Sequence, residues 1–174
     1  MKGREDMKEL VNVLRKYLHF IGIGVIALVF GLLFIPQFLR VDTLVVNGYE
    51  AIFYNEYIWN NITSAHSSVA GIIALILLVL ACALFALSQK SSAAHLFAGV
   101  FMGISSLLFF FMQLWFDIIF RGVHSYSILW LSYVLASLLL IVAAFTIYTA
   151  ILRLGEEKAA PVKSSTYSYL SKKK

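Results

Sequence analysis

SSVAGIIALILLVLACALFALS, residues 67–88, runs for six helical turns without a charged side chain. A helix needs roughly 20 apolar residues to cross about 30 Å of hydrocarbon, and this stretch meets that length. It lies inside one of four charge-free runs, Tyr17–Leu39, Ile58–Gln89, Ser91–Phe116 and Gly122–Leu152, which together fill most of the 174-residue chain. Hydrophobic residues make up 61% of the sequence and charged residues 13%, the balance of a membrane protein rather than of a globular domain. The expected fold is an all-α integral membrane protein, a four-transmembrane-helix bundle with spans at about 18–39, 67–88, 93–116 and 127–152.

Charge sets the expected orientation. Of the 14 Lys and Arg residues, only Arg40 and Arg121 lie in the loops after spans one and three. The others lie before span one, between spans two and three (Lys90), or at and after the end of span four. Basic residues collect on the cytoplasmic side of membrane proteins, so both termini are expected inside, in a multi-pass protein of the cell membrane. The net charge of +5 is thereby an orientation signal, suited to anionic headgroups, and implies no nucleic acid. The single cysteine, Cys82, lies within span two and allows neither an internal disulfide nor a redox pair. The first run is too long for a signal-peptide core and is followed by Gln37 and Arg40 rather than by a small-residue cleavage site, so it is expected to remain as an anchor.

Three domains follow. Residues 1–17 place Met7, Leu10, Val11 and Leu14 at helical spacing among Arg4, Lys8 and Arg15, the pattern of a short amphipathic cytoplasmic helix lying in the interface. Residues 18–152 form the bundle, and 153–174 a basic, Ser-rich disordered tail. The first outer loop, 40–65, holds Asn47-Gly48 between the β-prone runs Val41–Val46 and Tyr49–Tyr54. Asn-Gly suits a type I′ turn, which predicts a small β-hairpin pairing Val46 with Tyr49 and Val41 with Tyr54. A two-stranded hairpin is marginal alone and must lean on something else. Asn47, Gly48, Tyr49, Tyr54 and Trp59 are therefore the candidate contact residues for a partner. Trp59, Trp115 and Trp130, with Tyr57, Tyr126 and Tyr133, map to the outer half as an aromatic belt.

Span three has the best-organised face. His95, Gly99, Gly103, Ser106, Gln113 and Asp117 fall on one side at 100° per residue, along with Phe110. Small and polar residues at such spacing form helix–helix seams, and the sharper alternative is a polar path through the bundle. No span has an Asp, Glu, Lys or Arg in its interior, which weighs against ion-coupled transport. Asp117, Arg121, His124 and His66 gather on the outer side but show no metal-ligand spacing, so no metal, cofactor or catalytic residue is expected. Asn61-Ile62-Thr63 fits a glycosylation sequon. A histidine stands near the start of every span (His19, His66, His95, His124), the faint pattern of two duplicated halves.

Two inside termini, four spans and a β-prone first loop resemble the claudin-type tetraspans in layout. That family's first loop carries Trp and a paired-cysteine signature, and this chain has no cysteine there, so adhesion does not carry over. Gly48-Tyr49-Glu50-Ala51-Ile52-Phe53 also resembles a first-loop stretch of small bacterial four-span proteins, which imply no activity. The functional expectation is a non-enzymatic accessory or interaction protein whose hairpin and aromatic rim contact another membrane protein or a second copy, with membrane lipids around it. The alternative is a small transport or lipid-handling component lined by the third-span stripe.

Overall fold

The computed structural model describes residues 2–53, 68–88, 91–119 and 126–159. Its long elements are α1 (Lys2–Leu32), α3 (Val69–Leu87), α4 (Ser92–Phe110) and α6 (Trp130–Ala159). Between them lie two short strands, β1 (Leu39–Val41) and β2 (Leu44–Val46), and the short helix α2 (Gly48–Ile52). After α4 come α5 (Met112–Ile119) and β3 (Tyr126–Ile128).

Three helices are long and apolar enough to cross a membrane: α3, α4 and the segment Trp130–Gly155 of α6. At 1.5 Å per residue, the 19 residues of α3 and of α4 each give about 28 Å. The apolar part of α1, Tyr17–Leu32, is shorter. Serines set the inner helix boundaries. Ser68 caps α3 by accepting from the Gly71 N–H at 3.1 Å, and Ser91 caps α4 through Ala94 at 3.3 Å. At the end of α3, the Ser88 hydroxyl donates to the Phe85 carbonyl at 2.7 Å. Packed side by side, α4 meets α6 and α3 along most of its length, while α1 closes the ring with lighter contacts to α6 and α3. The core runs down the middle through Leu33, Leu78, Phe85, Met102, Phe109 and Leu139, all fully buried.

Four expectations are revised. First, the amphipathic N-terminal segment and the first apolar run are one continuous helix, because no Pro interrupts the chain before Leu32. Second, α6 passes Gly155 and reaches Ala159, into what was expected to be tail. Third, the third apolar run is two helices rather than one. It breaks at Phe111, whose φ of −89° and ψ of 6° leave the α region. Helical bonding resumes immediately with α5.

The fourth revision concerns the loop. Asn47-Gly48 is not the hairpin turn. β1 and β2 pair with Leu39 opposite Val46 and Val41 opposite Leu44, so the two-residue turn is Asp42-Thr43. Asn47 instead caps α2: its side chain accepts from the Glu50 N–H at 2.9 Å, and the Glu50 carboxylate accepts from the Asn47 N–H at 3.1 Å. That reciprocal pair is a capping box, and it removes Asn47-Gly48 from competition as a turn. The predicted pairing of Val46 with Tyr49 is lost with it, and Tyr54 lies outside the described residues. The hairpin is also not alone. β3 pairs antiparallel with β1, Leu39 opposite Ile128, giving a three-stranded sheet in the order β2-β1-β3.

The turn contains the one positive φ at a non-glycine among the described residues, 50° at Asp42. Left-handed backbone costs most L residues about 1–2 kcal/mol and Asp less than most. Asp42→Val is accordingly expected to destabilise the sheet by about 1–2 kcal/mol. Thermal unfolding in detergent, with amide exchange at Val41 and Leu44, checks this. Equal exchange in both proteins would count against the turn assignment.

Candidate functional site

The third-span stripe is a packing seam along most of its length. His95 is buried at the start of α4, where its Nε2 lies 3.2 Å from Thr149 Oγ1 of α6. The Thr149 hydroxyl donates to the Thr146 carbonyl at 3.1 Å, so its oxygen receives the Nε2–H of the imidazole. One turn on, Gly99 lets the backbones of α4 and α6 approach. A Cβ there would lie 2.9 Å from Ile147 Cγ1, 3.0 Å from Thr146 Cγ2 and 3.2 Å from the Ile147 backbone nitrogen. Gly103 faces the same helix with more room, its nearest neighbour being Ala143 Cβ at 3.7 Å. Ser106 then donates to the Ala136 carbonyl at 2.7 Å.

The next part of the stripe diverges. Because the helix breaks at Phe111, Gln113 and Asp117 sit on α5 and are exposed. Gln113 accepts from the Tyr133 hydroxyl at 3.2 Å on the protein surface. His95, Gly99 and Ser106 are thus brought together in the seam, while Gln113 and Asp117 are not. Sequence reasoning missed Ser105. It is fully buried on the other side of α4 and donates to the Ala74 carbonyl of α3 at 2.9 Å. Adjacent serines therefore hold α4 to both its neighbours, and the doublet Ser105-Ser106 was the available signal. Of the outer cluster, Asp117 alone lies within the described residues, since His66, Arg121 and His124 fall outside them.

The loop candidates form a cap on one end of the bundle. Gly48 packs against Leu33 and Phe38, and its N–H donates to the Leu33 carbonyl at 2.7 Å. Phe38, fully buried, meets Phe109 of α4 edge-on at 6.3 Å. Leu129 ties the second loop to the first by donating to the Phe38 carbonyl at 3.0 Å. Tyr49 stacks on Phe53 at 6.3 Å and donates its hydroxyl to the Phe30 carbonyl at 3.0 Å. Gly48 and Tyr49 therefore fasten the cap to the bundle, while Asn47 caps the helix that carries them. Tyr54 and Trp59 lie outside the described residues.

Burial holds the Tyr49 hydroxyl above the ordinary phenol value of 10.0. A raised acid pKa means that the folded state favours the neutral form. Its contribution is present below pH 10 and is lost as pH rises through the folded value. Alkaline titration should therefore loosen the cap of the native protein, and Tyr49→Phe should remove that part of the pH dependence. An unchanged alkaline profile in Tyr49→Phe would disprove the link.

Beneath α2 lies an apolar groove of about 350 Å³. One wall is a continuous stripe of α3: Ile72, Leu75, Ile76, Val79 and Leu80. Phe30 of α1 stands opposite, and the stacked Tyr49 and Phe53 rings roof it at the cap end. No polar atom is exposed in its walls, the Tyr49 hydroxyl being committed to Phe30.

Compared with known proteins, the chain matches no family model, and no curated protein is significantly similar to it.

Proposed function

We propose that this chain is a four-span protein of the cell membrane, with both termini cytoplasmic, that acts without enzymatic activity by contact with another membrane protein or a second copy. The membrane part of this reading is supported by the outward faces of the helices. Leu28, Ile76, Val79, Phe97, Ile141 and Phe145, drawn from all four long helices, are each half exposed or more. Apolar surface that extensive is untenable in water and suits lipid. The apolar half of α1 supplies the fourth span when the turn residues after Leu32 are added to it. The distribution of Lys and Arg supports inside termini.

The observation that carries the contact reading is the cap. Among the described residues its sheet ends on either side in a short strand, β2 and β3, and open strand edges are templates for strand addition. Leu44 on β2, Phe53 beside α2 and Trp130 at the start of α6 are exposed around it. The seam of α4, by contrast, is filled by helix–helix hydrogen bonds and close backbone packing, which favours the contact reading over a polar path.

The test is native mass spectrometry of the tagged protein released from its own membrane, with Leu44→Glu/Val45→Glu beside the wild type. A stoichiometric partner lost on charging β2, with insertion intact, is the expected result. A partner retained undiminished by the variant would refute the sheet edge as the contact. Tags at both ends accessible only from the cytoplasmic side are expected, and a tag exposed outside would refute the orientation.

A further inference from the structure

We propose that the groove between α1 and α3 is a binding site for one acyl chain of a membrane phospholipid. The inference rests on the membrane reading above and adds a ligand to it. The argument begins with direction. Ile72, Leu75, Ile76, Val79 and Leu80 follow one another at the i, i+3, i+4, i+7 and i+8 spacing of a single helix face. The groove therefore runs along α3 for about 12 Å, parallel to the axis of a helix of membrane-spanning length. A lipid chain lies in that direction too.

Size excludes the bulkier occupants. Spread over about 12 Å of groove, about 350 Å³ is a mean cross-section of about 30 Å², which a helix about 10 Å across does not enter. A methylene chain, whose carbons sit about 4 Å from their neighbours, does. Chemistry agrees, for the walls offer carbon alone and the hydroxyl nearest the site is already bonded to Phe30. The open side is continuous with the outward face of α3, where Ile73, Ile76, Val79 and Leu80 are exposed to whatever surrounds the bundle. The roof distinguishes this groove from ordinary lipid-facing surface. Tyr49 and Phe53 stop a chain at the cap end, so one that enters is held on three sides instead of one.

The full-length protein is reconstituted in phosphatidylcholine vesicles containing a trace of phosphatidylcholine with a diazirine in the acyl chain. After illumination, the labelled residues are mapped by peptide mass spectrometry. The internal reference is the exposed face of α6, Ile141, Phe145 and Tyr148. Labelling of the groove stripe several-fold above that face is the expected result. Val79→Trp, which fills the groove from an exposed position, should abolish the excess and leave α6 labelling unchanged. Equal labelling of the two faces would overturn the site and leave the membrane reading standing. Labelling of the groove below the α6 face would also overturn it, by showing that protein covers it. Absence of label from both faces would refute the membrane reading itself. An excess that survives Val79→Trp would place the bound chain elsewhere and overturn this assignment.

Discussion

Leucine at position 99 should drive α4 and α6 apart. A Cβ at Gly99 already meets Ile147 Cγ1 at 2.9 Å and, decisively, the Ile147 backbone nitrogen at 3.2 Å. Side chains swing aside, but a backbone atom inside a helix moves only with the helix. A single methyl therefore strains the seam, and a leucine forces the two axes outward. That separation stretches the bonds on either side, His95 to Thr149 and Ser106 to Ala136. On the membrane reading proposed above, the helices gain nothing from leaving solvent, so close packing and these bonds are what holds them. Overpacking costs about 1–3 kcal/mol and more where backbone blocks relief, and Gly99→Leu belongs at or above the top of that range. Two other glycines provide the contrast. Gly103 has its nearest neighbour at 3.7 Å and Gly24 has none within 4 Å, so alanine is accommodated at both. At Gly24 alanine should stabilise by about 0.5–1 kcal/mol through helix propensity. Melting temperatures in detergent should rank Gly24→Ala above wild type, Gly103→Ala near it, and Gly99→Leu far below. A Gly99→Leu protein that melts with wild type would refute the close approach of α4 and α6.

Truncating Phe85 should release α1 before the rest of the bundle yields. The ring is fully buried, lies edge-on to His95 at 5.9 Å, and presses on α1 at Gly22. A Cβ on Gly22 would stand 2.5 Å from its Cζ, so ring and glycine fit each other and nothing larger. Phe→Ala in a core costs about 3–5 kcal/mol. Here the loss falls unevenly, because α1 is the most lightly held of the four long helices. Amide exchange should rise in the apolar half of α1 while α4 remains protected. The complementary substitution makes the argument stringent. Gly22→Leu alone clashes with the ring, yet combined with Phe85→Ala it places a side chain in the vacated space. The double variant should recover part of the stability, a coupling in the direction opposite to simple addition. Strictly additive losses would show that the two residues do not meet.

Much of the architecture was legible because membrane-length apolar runs have a single economical solution, the helix. The seam was legible for a related reason. His95, Gly99 and Ser106 share one face of α4, and small or polar groups at helical period belong between helices. The loop was misread where two local signals overlapped. Asn47-Gly48 favours a tight turn, but Asn47-Gly48-Tyr49-Glu50 also carries the three-residue spacing of a capping box. The helix won because both box hydrogen bonds form, and the turn moved to Asp42-Thr43, whose aspartate tolerates the left-handed backbone. The break at Phe111 had no signal, since Phe109-Phe110-Phe111-Met112 contains neither Pro nor Gly. That break, invisible in the periodicity, carried Gln113 and Asp117 away from the stripe. The third strand was equally hidden. Tyr126-Ser127-Ile128 is too short to display alternation, and its pairing with β1 is a long-range contact that no local pattern encodes.

That pairing imposes an order on biosynthesis. β1 leaves the ribosome soon after α1, but its second neighbour, β3, is made only after α3, α4 and α5. Until then β1 and β2 form a two-stranded ribbon, which is marginal by itself. The cap therefore closes late, with Leu129 reaching back to Phe38 as α6 begins. A chain stalled before β3 would leave one side of β1 open. The edge of β1 that β3 later covers is thus exposed throughout synthesis of the intervening helices, when aggregating neighbours can engage it.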